Sequence, residues 1–258
     1  VIARIFACLV SVAAALLESR SGHTGRQISR LYSLNTLGAV LGAALSGLWI
    51  IPEMGLDGAV YLAAAVNLAI AALAFALSRS GDGDPGTATL PAVDTTLRPA
   101  YRTPALITLA LTGVVSIASQ VGWTKFLVIY IGSTISGLSI ILAVFLSGIA
   151  MGAWLMGRRI ATLTSPAAVM VTLLAALPFA LIASRFLLSL LPDIQAIMNR
   201  AGEDAGLLMF IRAATIAAAL LPPTVLLGAI FPLNVQLCTG AGTSTRRDIG
   251  TAYAINTL

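Results

Sequence analysis

The side chains of this chain that could do chemistry are few, and most of them interrupt long apolar runs. Amide, aromatic and cationic groups in such runs can hydrogen-bond a neighbouring helix or hold a small polar ligand. The candidates are Tyr32, Asn35, Gln120, Trp123, Lys125, Arg212, Asn234, Gln236, Tyr253 and Asn256. Because these residues form no recognisable catalytic constellation, the set predicts packing or binding.

Recognisable catalytic and metal-binding motifs are absent from the sequence. His23 is the only histidine, which excludes an HExxH zinc motif, and there is no Ser/His/Asp set and no Walker loop. Cys8 and Cys238 lie in apolar segments, without CxxC or Cys/His spacing. We therefore expect no catalytic residue, no metal and no cofactor within these 258 residues.

The composition requires a lipid environment for the elements that carry these residues. Hydrophobic residues make up 58% of the chain and charged residues 10%, and the mean hydropathy is +0.96. Soluble domains carry roughly 25% charged residues, so a soluble fold could not bury this much apolar surface. The formal charge of +5 does not indicate nucleic-acid binding, because the arginines lie between apolar runs. The expected fold class is all-α, a polytopic transmembrane helical bundle with the lipid bilayer as its partner.

Seven apolar runs are long enough to count as full or partial membrane spans, which need about 20 residues. They are Ile2–Leu17, Leu34–Ile51, Ala59–Leu77, Ala105–Gly122, Ile135–Met156, Ala167–Leu191 and Leu207–Leu237, and an eighth starts near Thr251. The segment Ser78–Thr103 is rich in Gly, Pro, Asp and Thr, which predicts a flexible linker. The arginines concentrate in alternate loops, so the positive-inside rule assigns the Arg-rich loops and this linker to the cytoplasm.

One short segment nearly repeats across the chain. Arg30–Leu37 reads RLYSLNTL, and Thr251–Leu258 reads TAYAINTL. The first copy continues into a long apolar helix, whereas the second stands at the end of the sequence. We therefore predict two related repeats: residues 1–77 as the C-terminal part of a first bundle, 78–103 as the linker, and 104–258 as a second bundle truncated at its C-terminus.

Small residues on two predicted helices indicate close helix packing. Gly38, Gly42 and Ser46 share one face of the second span, and Gly148 and Gly152 form a GxxxG pair on the fifth. In lipid, such residues let helix backbones approach each other. The second span is therefore expected to pack centrally, either as a static contact or as the rocking interface of a transporter.

The seventh apolar run contains three prolines, Pro222, Pro223 and Pro232, followed by Asn234 and Gln236. Proline removes a backbone donor and clashes with the preceding turn, so we expect a kinked or discontinuous helix. Broken helices at membrane depth often line binding cavities. A kinked packing helix is the alternative.

The remaining candidates also admit two interpretations each. Asn35 could cap its helix, bond a neighbouring helix or touch a ligand. Trp123 and Lys125, with Gln120, could anchor the outer end of the fourth span at the membrane interface or bind a ligand. Arg212 could be a functional intramembrane charge or could extend to the interface, and the same applies to Arg185.

Several of these segments together resemble the fused major-facilitator/spermidine-synthase proteins, also described as membrane-bound spermidine-synthase homologues. The segments are Tyr32–Ala43, Pro52, Gly55–Leu56, Gln120–Lys125, Gly132–Thr134, Phe145–Gly152 and Leu221–Leu233. At positions 120 and 125 the family typically has Glu and Arg, where this chain has Gln and Lys.

This resemblance implies a major-facilitator-like repeated bundle in the cell inner membrane. In many members a cytosolic aminopropyltransferase domain follows, which transfers an aminopropyl group from decarboxylated S-adenosylmethionine to putrescine. Such catalysis would lie beyond Leu258, with this chain as the membrane domain. The alternatives are a small-molecule transporter, with a polyamine among the ligands to consider, and a membrane anchor that transports nothing.

Overall fold

The computed structural model describes residues 24–80, 102–131, 134–201 and 205–239. The regular structure in these ranges is helical, which confirms the predicted all-α class. The helices are α1 (Thr24–Leu45), α2 (Ile51–Ser80), α3 (Arg102–Ile131), α4 (Ile135–Arg159), α5 (Pro166–Ser189), α6 (Leu191–Ala201) and α7 (Ala205–Thr239). A π-helical turn, Ser46–Ile50, joins α1 to α2, and a 3-10 turn, Ile160–Thr162, follows α4.

Five segments within the described ranges are long and apolar enough to cross a membrane. They are Tyr32–Leu73, Thr103–Ile131, Ile135–Thr162, Pro166–Ile194 and Ala213–Leu237. The predicted span Ile2–Leu17, most of the linker, and the second repeat copy with Tyr253 and Asn256 lie outside the described residues. The two-repeat arrangement therefore stays a prediction.

The ends of the α4 and α5 helices follow from local sequence signals. The Thr134 hydroxyl accepts a hydrogen bond from the Gly137 amide at 3.0 Å and caps the start of α4. Ser165 caps α5 in the same way, and Pro166 occupies its first turn, where a missing N–H costs nothing. Arg158 and Arg159 in the last turn of α4 complement the negative end of its dipole.

Helix α7 is the centre of the described bundle. It packs against α4, α5, α3 and α1, and every residue from Leu227 to Val235 is buried. The sequence predicted the central position for the second span, which corresponds to α1. Helix α1 does pack along α4, but its leucines at positions 34, 37, 41 and 45 are about half exposed, as is Leu48 in the following turn. A helix with one apolar face open lies at the edge of the packing, so α7 and not α1 is central.

The core of the bundle forms two layers, which fix the helix directions. The Met156 layer contains Ala105 of α3, Met156 of α4, Met170 of α5 and Leu233 of α7. The Trp123 layer contains Trp123 of α3, Ile141 of α4, Leu188 of α5 and Ile216 of α7. Residue numbers rise from the first layer to the second in α3 and α5 and fall in α4 and α7. Consecutive long helices from α3 onward are therefore antiparallel.

The second and third predicted spans are not separated by a loop. Tyr32–Leu73 is a run of 42 residues, about 63 Å if straight, which is twice the hydrocarbon thickness of roughly 30 Å. Its one non-helical residue is Gly55, with φ 72° and ψ 178°, a conformation that side-chain-bearing residues rarely adopt. A single glycine bend therefore joins the two predicted spans.

A second difference lies after the sixth predicted span. The residues from Leu191 onward form helix α6 instead of a loop, with Asp193 in its first turn. A carboxylate there faces the positive end of the helix dipole, which stabilises the helix start.

Candidate functional site

The closest helix crossing in the described bundle joins α4 to α7 through glycines. A Cβ atom added at Gly148 would overlap the side chain of Thr224. One added at Gly152 would lie 2.8 Å from the Val225 carbonyl carbon and 2.9 Å from the Ala229 nitrogen. From the other side, a Cβ at Gly228 would meet the backbone of Ile149. The two backbones therefore touch, and the GxxxG pair on α4 lies at the contact.

On α1 the predicted stripe Gly38, Gly42 and Ser46 is displaced from the tightest contact. A Cβ added at Gly42 would meet nothing within 4 Å, whereas one at Gly47 would overlap the Ser139 side chain. The Ser136 hydroxyl also donates to the Gly47 carbonyl at 3.1 Å. The prediction of a close contact is wrong at Gly42, and the close contact with α4 is instead at Gly47 in the π-helical turn.

Helix α7 runs as one continuous α-helix through Pro222, Pro223 and Pro232, so the predicted discontinuity is not found. Each proline lacks the N–H that would bond the carbonyl four residues earlier. Nearby, the Thr224 hydroxyl reaches the Leu220 carbonyl at 2.7 Å and the Leu221 carbonyl at 3.0 Å. These are not the carbonyls freed by Pro222 and Pro223, which belong to Ala218 and Ala219, so the hydroxyl adds a contact to the adjacent turn.

Asn234 is the most unusual polar residue of the bundle. Its exposure is 0%, and neither its Nδ2 nor its Oδ1 has a hydrogen-bond partner. An amide buried without partners costs roughly 1–3 kcal/mol in proteins, and more in fully apolar surroundings. Such an exception calls for a specific explanation, for example a molecule that the amide binds. Gln236, two residues further along α7, is half-buried.

Tyr32 on α1 contacts α7 at Phe231, which lies one turn before Asn234. Its ring stacks on Phe231 with centroids 4.1 Å apart and an interplanar angle of 22°. Phe231 belongs to a small cluster with Leu109 and Val235. Asn35, one turn further along α1, is half-buried, and its Oδ1 has no hydrogen-bond partner. Asn35 on α1 and Asn234 on α7 therefore each lie one turn after a ring of the Tyr32–Phe231 stack, and neither amide oxygen has a hydrogen-bond partner.

Gln120, Trp123 and Lys125 on α3 differ in how deeply they are buried. Helix α3 continues nine residues beyond Gly122 to Ile131, and the added residues are mostly apolar, with Thr124 and Lys125 among the exceptions. Trp123 is 8% exposed and packs edge-on to Phe145 at 6.1 Å. The interfacial prediction is therefore wrong for Trp123, which is a core residue. Gln120 is half-buried and Lys125 exposed.

Sequence reasoning missed three side chains that the geometry brings forward. Thr224 is 0% exposed at the glycine crossing, and Phe231 forms the stack with Tyr32. Ser184 on α5 is 1% exposed, and its hydroxyl has no partner. Ser184 precedes an arginine inside an apolar run, which is the one signal that pointed to it. The side chain of Arg212 lies outside the described residues.

No group of three or more metal-ligating side chains occurs in the part of the chain that the structure describes. Comparisons with protein-family models, with curated proteins and with solved structures find no significant match to this chain.

Proposed function

We propose that this chain is the integral membrane domain of a spermidine-synthase-like fusion protein. The observation that carries the proposal is the meeting of three segments on which the family resemblance rests. Tyr32 of the first segment stacks on Phe231 of the third. Gly148 and Gly152 of the second lie against Thr224 and Val225, also of the third. We expect a family to retain such segments as a set, because close packing limits which side chains each segment can carry opposite the others.

In this proposal the bundle supplies attachment and a fixed platform, and the chemistry lies downstream. The described residues hold five apolar segments of spanning length and no paired carboxylates for acid–base work. A domain beyond Leu258 would transfer the aminopropyl group to putrescine at the membrane surface.

The test is a spermidine-forming assay on the complete open reading frame. Membranes from expressing cells receive putrescine and decarboxylated S-adenosylmethionine, and spermidine is measured by chromatography. We expect product in the membrane fraction and none from a frame cut after Leu258. If the complete frame encodes no such domain and its membranes form no spermidine, the proposal is wrong.

A second candidate function, transport of a small polar solute, is favoured by Asn234. The amide lies in the helix that all the other long helices except α2 contact, and that helix carries three prolines. Proline weakens the backbone ladder and allows a helix to bend during a conformational change. An amide offers one acceptor and two donors, so it suits a neutral or cationic solute with hydrogen-bonding groups, including a polyamine.

The test of this candidate is putrescine uptake into proteoliposomes by the parent protein, by Asn234→Leu and by Asn67→Leu. Asn67 is a matched control, since it is a half-buried amide on the peripheral helix α2. Replacing an unpartnered buried amide by an apolar group of similar size should leave stability unchanged or raise it by about 1 kcal/mol. We expect uptake to be lost only in Asn234→Leu. Uptake that is equal in the two variants would count against Asn234 as the site, and no uptake by the parent protein would count against polyamine transport and favour a plain anchor.

A further inference from the structure

A cleft of about 320 Å³ opens between α3 and α5 in the Trp123 layer of the bundle. Its lining residues are Ser119, Gly122, Trp123, Phe126, Arg185 and Leu188. Helices α3 and α5 both pack on α7 and make little contact with each other. Gly122 adds no side chain to the gap, and a Cβ there would meet nothing within 4 Å. The cleft is therefore a consequence of two helices that share a partner, with a glycine between them.

The cleft contains a cation within a segment that is apolar enough to span a membrane. Arg185 lies in the segment Pro166–Ile194, and its guanidinium carbon is 5.5 Å from the centre of the Phe126 ring. Among the described residues no carboxylate pairs with it. A charge at such a position is costly unless it reaches water or meets an opposite charge. The aromatic ring offsets part of the charge, but it supplies no hydrogen-bond acceptor for the five guanidinium N–H donors.

We propose that this cleft binds the phosphate group of a phospholipid, with Arg185 as its principal contact. A guanidinium donates two parallel hydrogen bonds to a phosphate, and the Ser119 hydroxyl on the facing helix is a further donor. The volume is at the lower end of the range for ligand pockets, roughly 300–1,000 Å³, so it fits a headgroup and not a whole lipid.

The surface next to the cleft explains why the phosphate should come from a lipid and not from solution. Ile182 lies one turn before Arg185 on α5, and Phe179 lies about one turn before Ile182. Their exposures are 68% and 73%. This apolar stripe leads from the cleft toward the middle of the span. An acyl chain can follow it while the phosphate stays at Arg185, which a free phosphate ion could not exploit.

The experiment uses Trp123 as a reporter, because it lines the cleft. The sequence has three tryptophans, so Trp49→Phe and Trp154→Phe leave Trp123 alone. The full chain is reconstituted with phospholipids brominated near the headgroup end of their chains, which quench a tryptophan that they touch. Phosphatidylglycerol carries a net negative charge, whereas phosphatidylcholine carries a choline that the arginine repels. One arginine beside an anionic lipid contributes about 1 kcal/mol, so we expect about a fivefold preference for brominated phosphatidylglycerol.

Three variants separate the cleft from general charge effects. Arg185→Gln should abolish the preference, and Arg185→Lys, which keeps the charge, should retain most of it. Arg159→Gln is the matched control, since Arg159 is an exposed arginine at the opposite end of the bundle. This variant should retain the full preference for brominated phosphatidylglycerol. Equal thermal midpoints of the variants would show that a loss in Arg185→Gln is not misfolding.

Three results would overturn the proposal. Equal quenching by the two lipids would mean that Arg185 only extends to the interface. A preference that persists in Arg185→Gln would place the lipid elsewhere. Displacement of brominated phosphatidylglycerol by inorganic phosphate, with chloride at equal ionic strength as the control, would assign the cleft to a free anion.

Discussion

Replacing Gly152 by alanine should loosen the whole bundle, because this residue lies where α4 and α7 touch. The added Cβ would lie 2.8 Å from the Val225 carbonyl carbon and 2.9 Å from the Ala229 nitrogen. Ordinary contacts between such atoms are at about 3.5–4.0 Å. The obstacles are backbone atoms, which cannot rotate away as a side-chain terminus can. The two helices must therefore move apart, and every contact along their crossing is weakened.

The magnitude follows from two opposing effects. Gly→Ala inside a helix stabilises by about 0.5–1 kcal/mol because it restricts the unfolded chain. Overpacking at a tight contact costs about 1–3 kcal/mol. Gly42→Ala is the matched control, since the added Cβ there meets open space. This variant should show only the stabilisation by the helical alanine. Because that stabilisation is common to both variants, we expect Gly152→Ala to be less stable than Gly42→Ala by about 1–3 kcal/mol, or roughly 2–12 °C in thermal midpoint.

The assay is thermal unfolding of the two variants in the same detergent, followed by far-ultraviolet circular dichroism. Gly148→Ala provides a graded comparison, because its obstacle is the Thr224 side chain, which can adjust more easily than backbone. Its midpoint should fall between the other two. A Gly152→Ala midpoint equal to or above that of Gly42→Ala would refute the close α4–α7 contact and the reasoning built on it.

Three further outcomes are expected. Gly55→Ala should lower the free energy of unfolding by about 1–3 kcal/mol through backbone strain alone, since nothing lies within 4 Å of the added Cβ. Gly122→Ala is the control, because its added Cβ also meets open space. Equal thermal midpoints of the two variants would argue against the bend at Gly55. Tyr32→Ala should lower the thermal midpoint more than Tyr32→Phe, because phenylalanine keeps the stack on Phe231. Equal midpoints would mean that the stack does not stabilise the bundle. A green fluorescent protein inserted within Ser78–Thr103 should fluoresce and alkaline phosphatase inserted there should be inactive, and the reverse pattern would invert the predicted topology.

The sequence predicted the features of this fold that depend on local composition. Helical class and spanning segments follow from runs of apolar residues, because hydropathy is a property of each segment by itself. The GxxxG pair at Gly148 and Gly152 likewise lies at a helix contact, since two glycines one turn apart remove side chains from one face.

The features that depend on a partner were not predictable in the same way. Gly42 and Gly47 are both small residues of the same apolar run, and only the position of α4 decides which of them is at the contact. Tryptophan is a residue type typical of membrane interfaces, which led to the interfacial prediction for Trp123. In the structure α3 continues beyond Trp123, and its ring packs against Phe145. The proline pattern predicted a kinked or discontinuous α7, and the structure has one continuous α-helix there that packs on four other long helices.

The central position of α7 has a consequence for how the protein is made. The chain leaves the ribosome from its N-terminus, so α1, α3, α4 and α5 enter the membrane before the helix on which they all pack. Until α7 arrives, Gly148 and Gly152 face lipid or a provisional neighbour. Assembly of the described bundle is then completed by one late insertion. A nascent chain that stops before residue 205 would hold a set of helices without their shared partner, which membrane quality control could distinguish from the finished protein.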